Sequence, residues 1–289
     1  MGSRLDRKPG KAKLKAMTDK TIPPVVPTEG WHVLHLFYKI EHGQWQLYSE
    51  SEKIRAKTRL AELVQEIRSA PDTQLLSFAV VTPKADIGFM LITPDLQAAN
   101  SWEKQLTLTL GPDVLNPATA FFSVTERSEY LATEEECKEG LVRDGVIEGS
   151  EEWNARMKEI SERLDKYLKF RLYPALPDWP VISFYPMMKR RKPEQNWYNL
   201  SFEERKELMA GHGRVGRKWH GKILQLITGC TGLDDAEWGV TLFAQNTYDI
   251  KGIVYEMRFD PVSADYAEFG EFYIGLQLPL DQLYRRLQL

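Results

Sequence analysis

Two stretches of this 289-residue chain carry side chains that could do chemistry at helix or strand spacing. The first is Gly211-His212-Gly213-Arg214-Val215-Gly216-Arg217-Lys218-Trp219. His212 shares a helical face with Leu208 and Met209, and its flanking glycines allow close approach. An imidazole placed there suits a metal or a haem iron; a core or helix-capping histidine is the bland alternative. The second stretch is Tyr185-Pro186-Met187-Met188-Lys189, where alternation puts Tyr185, Met187 and Lys189 on one strand face. A phenol, a thioether and an ammonium form an unusual set on an apolar sheet face. A charged gatekeeper on an edge strand accounts for the lysine equally well.

Other polar groups accompany these in the C-terminal part of the chain. Gln225 lies on a strand flanked on both faces by apolar residues, so a buried amide there needs hydrogen-bond partners. Trp238 shares its face with Val240 and Leu242. Trp197 follows the basic run Lys189-Arg190-Arg191-Lys192-Pro193, and Arg258 sits among apolar residues. Arg171 continues the stripe of a strongly helical segment, either snorkelling to water or waiting for a carboxylate. Each alone reads as structural. Together they suit a large flat aromatic ligand bearing carboxylates and a metal that accepts one protein ligand. His32 and His35, three apart on a strand, point to opposite faces and make poor joint ligands.

The elements that must position these groups repeat. Residues 31–40 read as a strand, and 51–69 as a helix with Ile54, Leu60, Leu63, Val64 and Ile67 on its apolar face. Leu75–Thr82 and Ile87–Ile92 form a hairpin, 95–109 a helix, and Ala118–Tyr130 a long strand. The same β-α-β-β-α-β order returns with a strand at 180–189, a helix at 202–213 ending near the glycines, and paired strands at 222–228 and 237–243. A helix at 246–258 and a strand at 271–276 complete it. The fold class is therefore α+β, with duplicated ferredoxin-like units. The division expected is a basic leader over 1–27, a first half over 28–131 with no cofactor, a helical connector over 132–179, and a ligand-binding half over 180–289. In the connector, Trp153, Met157, Ile160, Leu164 and Tyr167 form one apolar stripe.

Composition bounds the rest. The chain is 43% apolar and 27% charged with a net charge of −3, which gives no hint of nucleic-acid binding. No apolar run is long enough to span a membrane. Two cysteines, Cys137 and Cys230, imply no disulfide framework and fit a reducing, cytoplasmic setting. Residues 1–16, with six cations against Asp6, read as a disordered tail.

The motifs Tyr185–Lys189, Gly211-His212-Gly213 with Gly216-Arg217-Lys218, Gln225, Thr231-Gly232-Leu233-Asp234-Asp235 and Glu237-Trp238-Gly239 resemble the coproheme decarboxylases of the chlorite dismutase superfamily. The resemblance covers about residues 28–289. It implies a ferredoxin-like α+β barrel, His212 as the iron ligand, Tyr185 as the redox-active residue and Lys189 beside a reacting propionate. Arg171 and Ser263 would bind porphyrin carboxylates, Gln225 would lie on the distal side and Met187 would line the pocket. Pro186, Met188, Trp197, Arg217, Trp238 and Arg258 would lie near the porphyrin or its carboxylates. Glutamine at 225, where chlorite dismutases carry an arginine, points to the Firmicutes-type branch. The implied substrate is Fe-coproporphyrin III (coproheme), the oxidant hydrogen peroxide and the product haem b, formed through a tyrosyl radical. A homopentamer and a transient contact with the preceding ferrochelatase are implied as well. Chlorite dismutase, a general peroxidase and a non-enzymatic haem carrier or sensor are the alternatives.

Overall fold

In the computed structural model, which describes residues 22–289, strand β1 (His32–Ile40) shows how the chain sorts its side chains. Val33 and Phe37 join one apolar cluster, while Leu36, Tyr38 and Ile40 join another on the opposite face. This is the period of two expected of a strand buried on both sides. The short helix α1 (His42–Gln46) follows, so His42 opens a helical turn. Helix α2 (Glu50–Ser69) begins at Ser49 with a complete Ser49/Glu52 capping box. Leu60, Leu63, Val64 and Ile67 are buried on it, but Ile54 is 60% exposed. Ala56 opens the buried stripe instead, and Ile54 lies off that face of the helix, which corrects the expected stripe. Strands β2 (Gln74–Val80) and β3 (Ile87–Thr93) form the hairpin, and α3 (Leu96–Leu108) leads to β4. Strand β4 runs Leu115–Thr125, starting and ending earlier than expected.

The connector holds two helices, α4 (Glu134–Arg143) and α5 (Glu151–Leu172). Of its expected stripe only Trp153 is buried, in a small cluster with Leu141 and Val146; Tyr167 is exposed. The second half opens with β5 (Val181–Lys189) and a small hairpin, β6 (Arg191–Lys192) and β7 (Gln195–Asn196). Helix α6 spans Phe202–Lys218, behind a Ser201/Glu204 capping box. It passes through Gly211 and Gly213 rather than ending there. A glycine inside a helix costs about 1 kcal/mol, and Val215 and Trp219 packing on the sheet offset that cost. Next come β8 (Ile223–Gly229), β9 (Trp238–Ala244) and α7 (Thr247–Met257). Helix α8 (Pro261–Tyr266), β10 (Ala267–Phe269), β11 (Tyr273–Gln277) and α9 (Leu280–Arg286) complete the chain.

The first half orders its strands β2-β3-β1-β4 and the second β8-β9-β5-β11, the same ferredoxin-like arrangement twice. Antiparallel pairings β4–β8 and β11–β2 join the halves, so the eight strands close into a barrel. All eight contribute side chains to one interior cluster, from Val33 and Phe78 to Phe184, Leu226 and Phe243. Helices α2 and α3 cover the outer face of the first half; α6 and α7 lie over that of the second. His35 is fully buried in the interior, where its Nε2 and Thr241 Oγ1 lie 2.8 Å apart. Burial depresses its pKa to about 3, so it is neutral and links β1 to β9.

Candidate functional site

The site lies between the outer face of the second-half sheet and the helices α6 to α8. Alternation along β5 turns Tyr185 and Met187 onto this face, where they join Ile223, Val240 and Leu242 from the sheet. Val215, Trp219 and Met257 complete the same cluster from the helices. Tyr185 is 7% exposed and stacks on Phe272 with ring centroids 4.3 Å apart, with Phe269 at 5.7 Å. Burial raises its phenol pKa, and the positive charge of Arg258 opposes the rise. The Arg258 guanidinium itself lies 3.9 Å over the Phe269 ring.

Lys189 ends the same face of β5 and is 6% exposed. Its ammonium sits 3.9 Å over the Trp197 ring and 5.9 Å from that of Trp238. Burial lowers its pKa to about 8, while Asp260 and then Glu237 pull it upward. The loop after β5 brings Trp197 there: a single 3-10 turn, Trp197–Asn199, buries the indole to 2% exposure. Glu237 fastens that loop. Its carboxylate accepts hydrogen bonds from the Lys189 backbone N–H at 3.1 Å, from Tyr198 Oη at 3.1 Å and from the Arg191 guanidinium.

His212 faces the sheet from the middle of α6, and its Nδ1 lies 2.7 Å from Asp260 Oδ2. Asp260 is the N-cap of α8, 6% exposed, and also receives the Ser263 N–H. Because Asp260 takes Nδ1, the Nε2 lone pair is the one left to ligate an iron, a usual arrangement for a ligating histidine. The same carboxylate acts on His212 by contact and on Lys189 by charge, so it ties the helix side of the site to the strand side. No α6 side chain is fully buried, though Leu208, Met209, His212 and Val215 are half-buried. Small residues keep the face of α6 low. A Cβ on Gly216 would come within 3.3 Å of Gln225 Nε2, and one on Gly213 within 3.3 Å of Arg217 Nη1.

Arg171, at the end of α5, is 9% exposed and donates from Nε to the Glu126 carbonyl at 3.3 Å. It makes no ion pair among the described residues. A buried guanidinium in that state has the charge and free N–H groups to accept an anion. Trp238 donates from its indole to Glu126 Oε1 at 3.1 Å. Gln225 is half-buried on the site face of β8, beside Gly216. The structure thus joins these groups through shared contacts: Lys189 meets Trp197 and Trp238, Asp260 links His212, Ser263 and Lys189, Tyr185 and Met187 share one apolar cluster, and Gln225 lies beside Gly216 of α6. Pro186 and Met188 alternate to the other face of β5, and Met188 packs into the barrel interior. Arg217 is exposed on the last turn of α6.

Sequence reasoning missed Asp260, Glu126 and the clasp made by Glu237. Asp260-Pro261 carries an N-cap signal that could have marked the start of α8. Nothing local says that the same carboxylate reaches back 48 residues to His212. The donor set fits an iron porphyrin with carboxylate side arms. It offers one imidazole backed by a carboxylate, an uncharged amide, a thioether, stacked aromatic rings and cations.

A doubled ferredoxin-like barrel with a carboxylate-backed histidine on a second-half helix defines a class of α+β barrels suited to haem. Within that class the chain belongs to the chlorite dismutase family, to which residues 53–278 match. It is 39% identical over 258 residues to the coproheme decarboxylase of Staphylococcus carnosus, covering 88% of this chain and 94% of that protein. A Natronomonas pharaonis protein named for heme binding is 38% identical over 258 residues, 88% of this chain; the match spans 40% of that protein's length. The solved structure of a heme-binding protein from Thermus thermophilus superposes with a TM-score of 0.75 at 34% identity. That match covers 93% of this chain and 99% of the other.

Proposed function

We propose that this chain is an enzyme that binds coproheme and, with hydrogen peroxide as oxidant, converts two of its propionates to vinyl groups, giving haem b. The observation that carries this reading is the shared face of β5. It carries a buried phenol, Tyr185, and a buried ammonium, Lys189, and the Asp260 carboxylate that backs His212 also acts on Lys189 by charge. Similarity to the Staphylococcus carnosus enzyme supports it.

When bound, the iron porphyrin supplies the redox chemistry that uses peroxide. The protein's own residues do the rest. His212 would ligate the iron through Nε2, with Asp260 fixing the ring. Arg171 and Ser263 would hold carboxylates, with Trp197, Trp238, Arg258 and, from the exposed end of α6, Arg217 near the porphyrin or its carboxylates. Tyr185 gives up its phenolic hydrogen, and the resulting radical takes a hydrogen atom from a propionate β-carbon. The carboxylate then leaves as CO2 with the loss of a second electron, which the peroxide-derived oxidant takes up, and a vinyl group remains. One peroxide, reduced to water, accounts for the two electrons each propionate loses. Lys189 orients the reacting carboxylate, a positioning and electrostatic contribution. Gln225 offers hydrogen bonds without charge, which suits neutral peroxide better than an oxychlorine anion. In this reading residues 180–289 carry the cofactor, 132–179 connect and 28–131 serve as scaffold. A homopentamer, a passing contact with ferrochelatase and a cytoplasmic setting belong to the same proposal. Among the described residues no helix is long and apolar enough to cross a membrane.

Mass spectrometry of the porphyrin after stepwise addition of peroxide to the coproheme-loaded protein tests the reading. Two successive losses of a carboxyl group are expected. An unchanged mass would leave a carrier or sensor. Tyr185→Phe should bind coproheme as the parent does, since the ring can still stack on Phe272, yet release no CO2. Normal turnover by that variant would remove the radical from Tyr185.

A further inference from the structure

Three separate parts of the chain meet at Glu126, the first residue beyond β4. Its backbone carbonyl accepts the Nε–H of Arg171 from the end of α5 at 3.3 Å. Its carboxylate does not pair with that guanidinium. Instead Oε1 accepts the indole N–H of Trp238, at the start of β9, at 3.1 Å. Gly229, which pairs with Trp238 across β8 and β9, makes room for this. A Cβ on Gly229 would fall 2.3 Å from Glu126 Oε2 and 2.5 Å from its Cδ. A side chain at 229 and the carboxylate in its present place exclude each other.

The choice of partner matters for charge. A hydrogen bond to a carbonyl fixes the plane of a guanidinium and leaves its positive charge uncompensated. A carboxylate pairing would fix it and neutralise it together. Burial raises the Glu126 pKa, and the Trp238 bond and the Arg171 charge hold it back, so the group feels both neighbours.

We propose that Glu126 is a positioning residue for the carboxylate seat of the second half. It orients Arg171 through its carbonyl without neutralising it, and it fixes the Trp238 indole with a carboxylate that Gly229 keeps turned away from the arginine. The inference rests on the coproheme reading above for the identity of the anion. It also gives Gly229 a reason that strand geometry alone does not supply.

Two readouts test it: near-UV circular dichroism of the ligand-free protein, dominated by its indoles, and coproheme affinity from quenching of tryptophan emission. Glu126→Ala should alter the ligand-free spectrum. Glu126→Gln, whose amide oxygen still accepts from Trp238, should leave it unchanged and bind coproheme within about twofold of the parent. Gly229→Ala should push the carboxylate toward Arg171 and weaken coproheme binding by about tenfold, the scale of one lost hydrogen bond. Adding Glu126→Ala to Gly229→Ala should restore most of that affinity, because the steric conflict is then gone. A Gly229→Ala protein that binds like the parent, or a double variant no better than Gly229→Ala alone, overturns the proposal. So does an unaltered spectrum in Glu126→Ala. Should that variant fail to fold, the Glu126→Gln and Gly229→Ala comparison decides alone. A shifted Glu126→Ala spectrum in a chain whose parent binds no coproheme would uphold the Glu126–Trp238 link and defeat the coproheme reading instead.

Discussion

Lys189 keeps an ammonium in the protein interior by resting it on the Trp197 ring, 3.9 Å away, within range of Asp260 and Glu237. Burial disfavours the charged form, and the two carboxylates return only part of that cost, leaving a pKa of about 8. The sign of the consequence follows directly. The protonated lysine is the form that attracts a propionate, and its share falls as pH rises through 8. In the free protein kcat/KM for coproheme should therefore decline above about pH 8, an alkaline limb that reports the free enzyme. Lys189→Arg should flatten the limb, since a guanidinium stays charged there. Lys189→Ala should abolish the limb and slow at least one of the two decarboxylations. An unchanged limb in Lys189→Arg would assign it to another group and leave Lys189 a packing role.

Helix α6 presents His212 without one fully buried side chain of its own, so its capped start, its contacts with α7 and α8 and the packing of Val215 and Trp219 hold it. The N-terminal end is secured by reciprocal bonds. Ser201 Oγ accepts the Glu204 N–H at 3.2 Å, and Glu204 Oε2 accepts the Ser201 N–H at 2.8 Å. Ser201→Ala should cost about 1 kcal/mol in denaturant unfolding. Amide exchange along α6 should quicken while that of α2, with five buried residues, stays as it was. Exchange unchanged in α6 would mean that its apolar face alone fixes it. The start of this helix was legible because Ser-x-x-Glu is a local signal. Its end was not, because Gly211 and Gly213 look like terminators in sequence, and only the tertiary packing of Val215 and Trp219 carries the helix on to Lys218. The same contrast separates the site residues. That Tyr185, Met187 and Lys189 share one face of β5 was legible from strand alternation alone. Asp260 and Glu126 act across 48 and 112 residues on His212 and Trp238, separations at which spacing carries no information.

The two halves share one sheet, and this decides how the whole molecule should come apart. The repeated order of elements could be read from periodicity. The closure could not, since β4 meets β8 through two residue pairs and β11 meets β2 through three, too few to leave a pattern. Phe78 marks the second of these seams. It is 1% exposed on β2, opposite Gly88 on β3 and Gln277 on β11. A Cβ on Gly88 would lie 2.1 Å from its ring, and one on Gly275 would lie 2.3 Å from it, so a glycine from each half makes way for one side chain. The ring also meets Phe37 edge-on at 5.9 Å within the interior cluster. Phe78→Ala should remove about 3–5 kcal/mol of stability, the usual cost of emptying a buried aromatic site. The sheet is continuous through the seam, so the loss should lower one cooperative transition for the whole barrel. Far-ultraviolet circular dichroism and tryptophan emission, whose eight indoles fall three in each half and two in the connector, should then each show one transition with the same midpoint. Two separated midpoints in Phe78→Ala would show instead that each ferredoxin-like half holds its own fold and that the seam joins two units already stable without it.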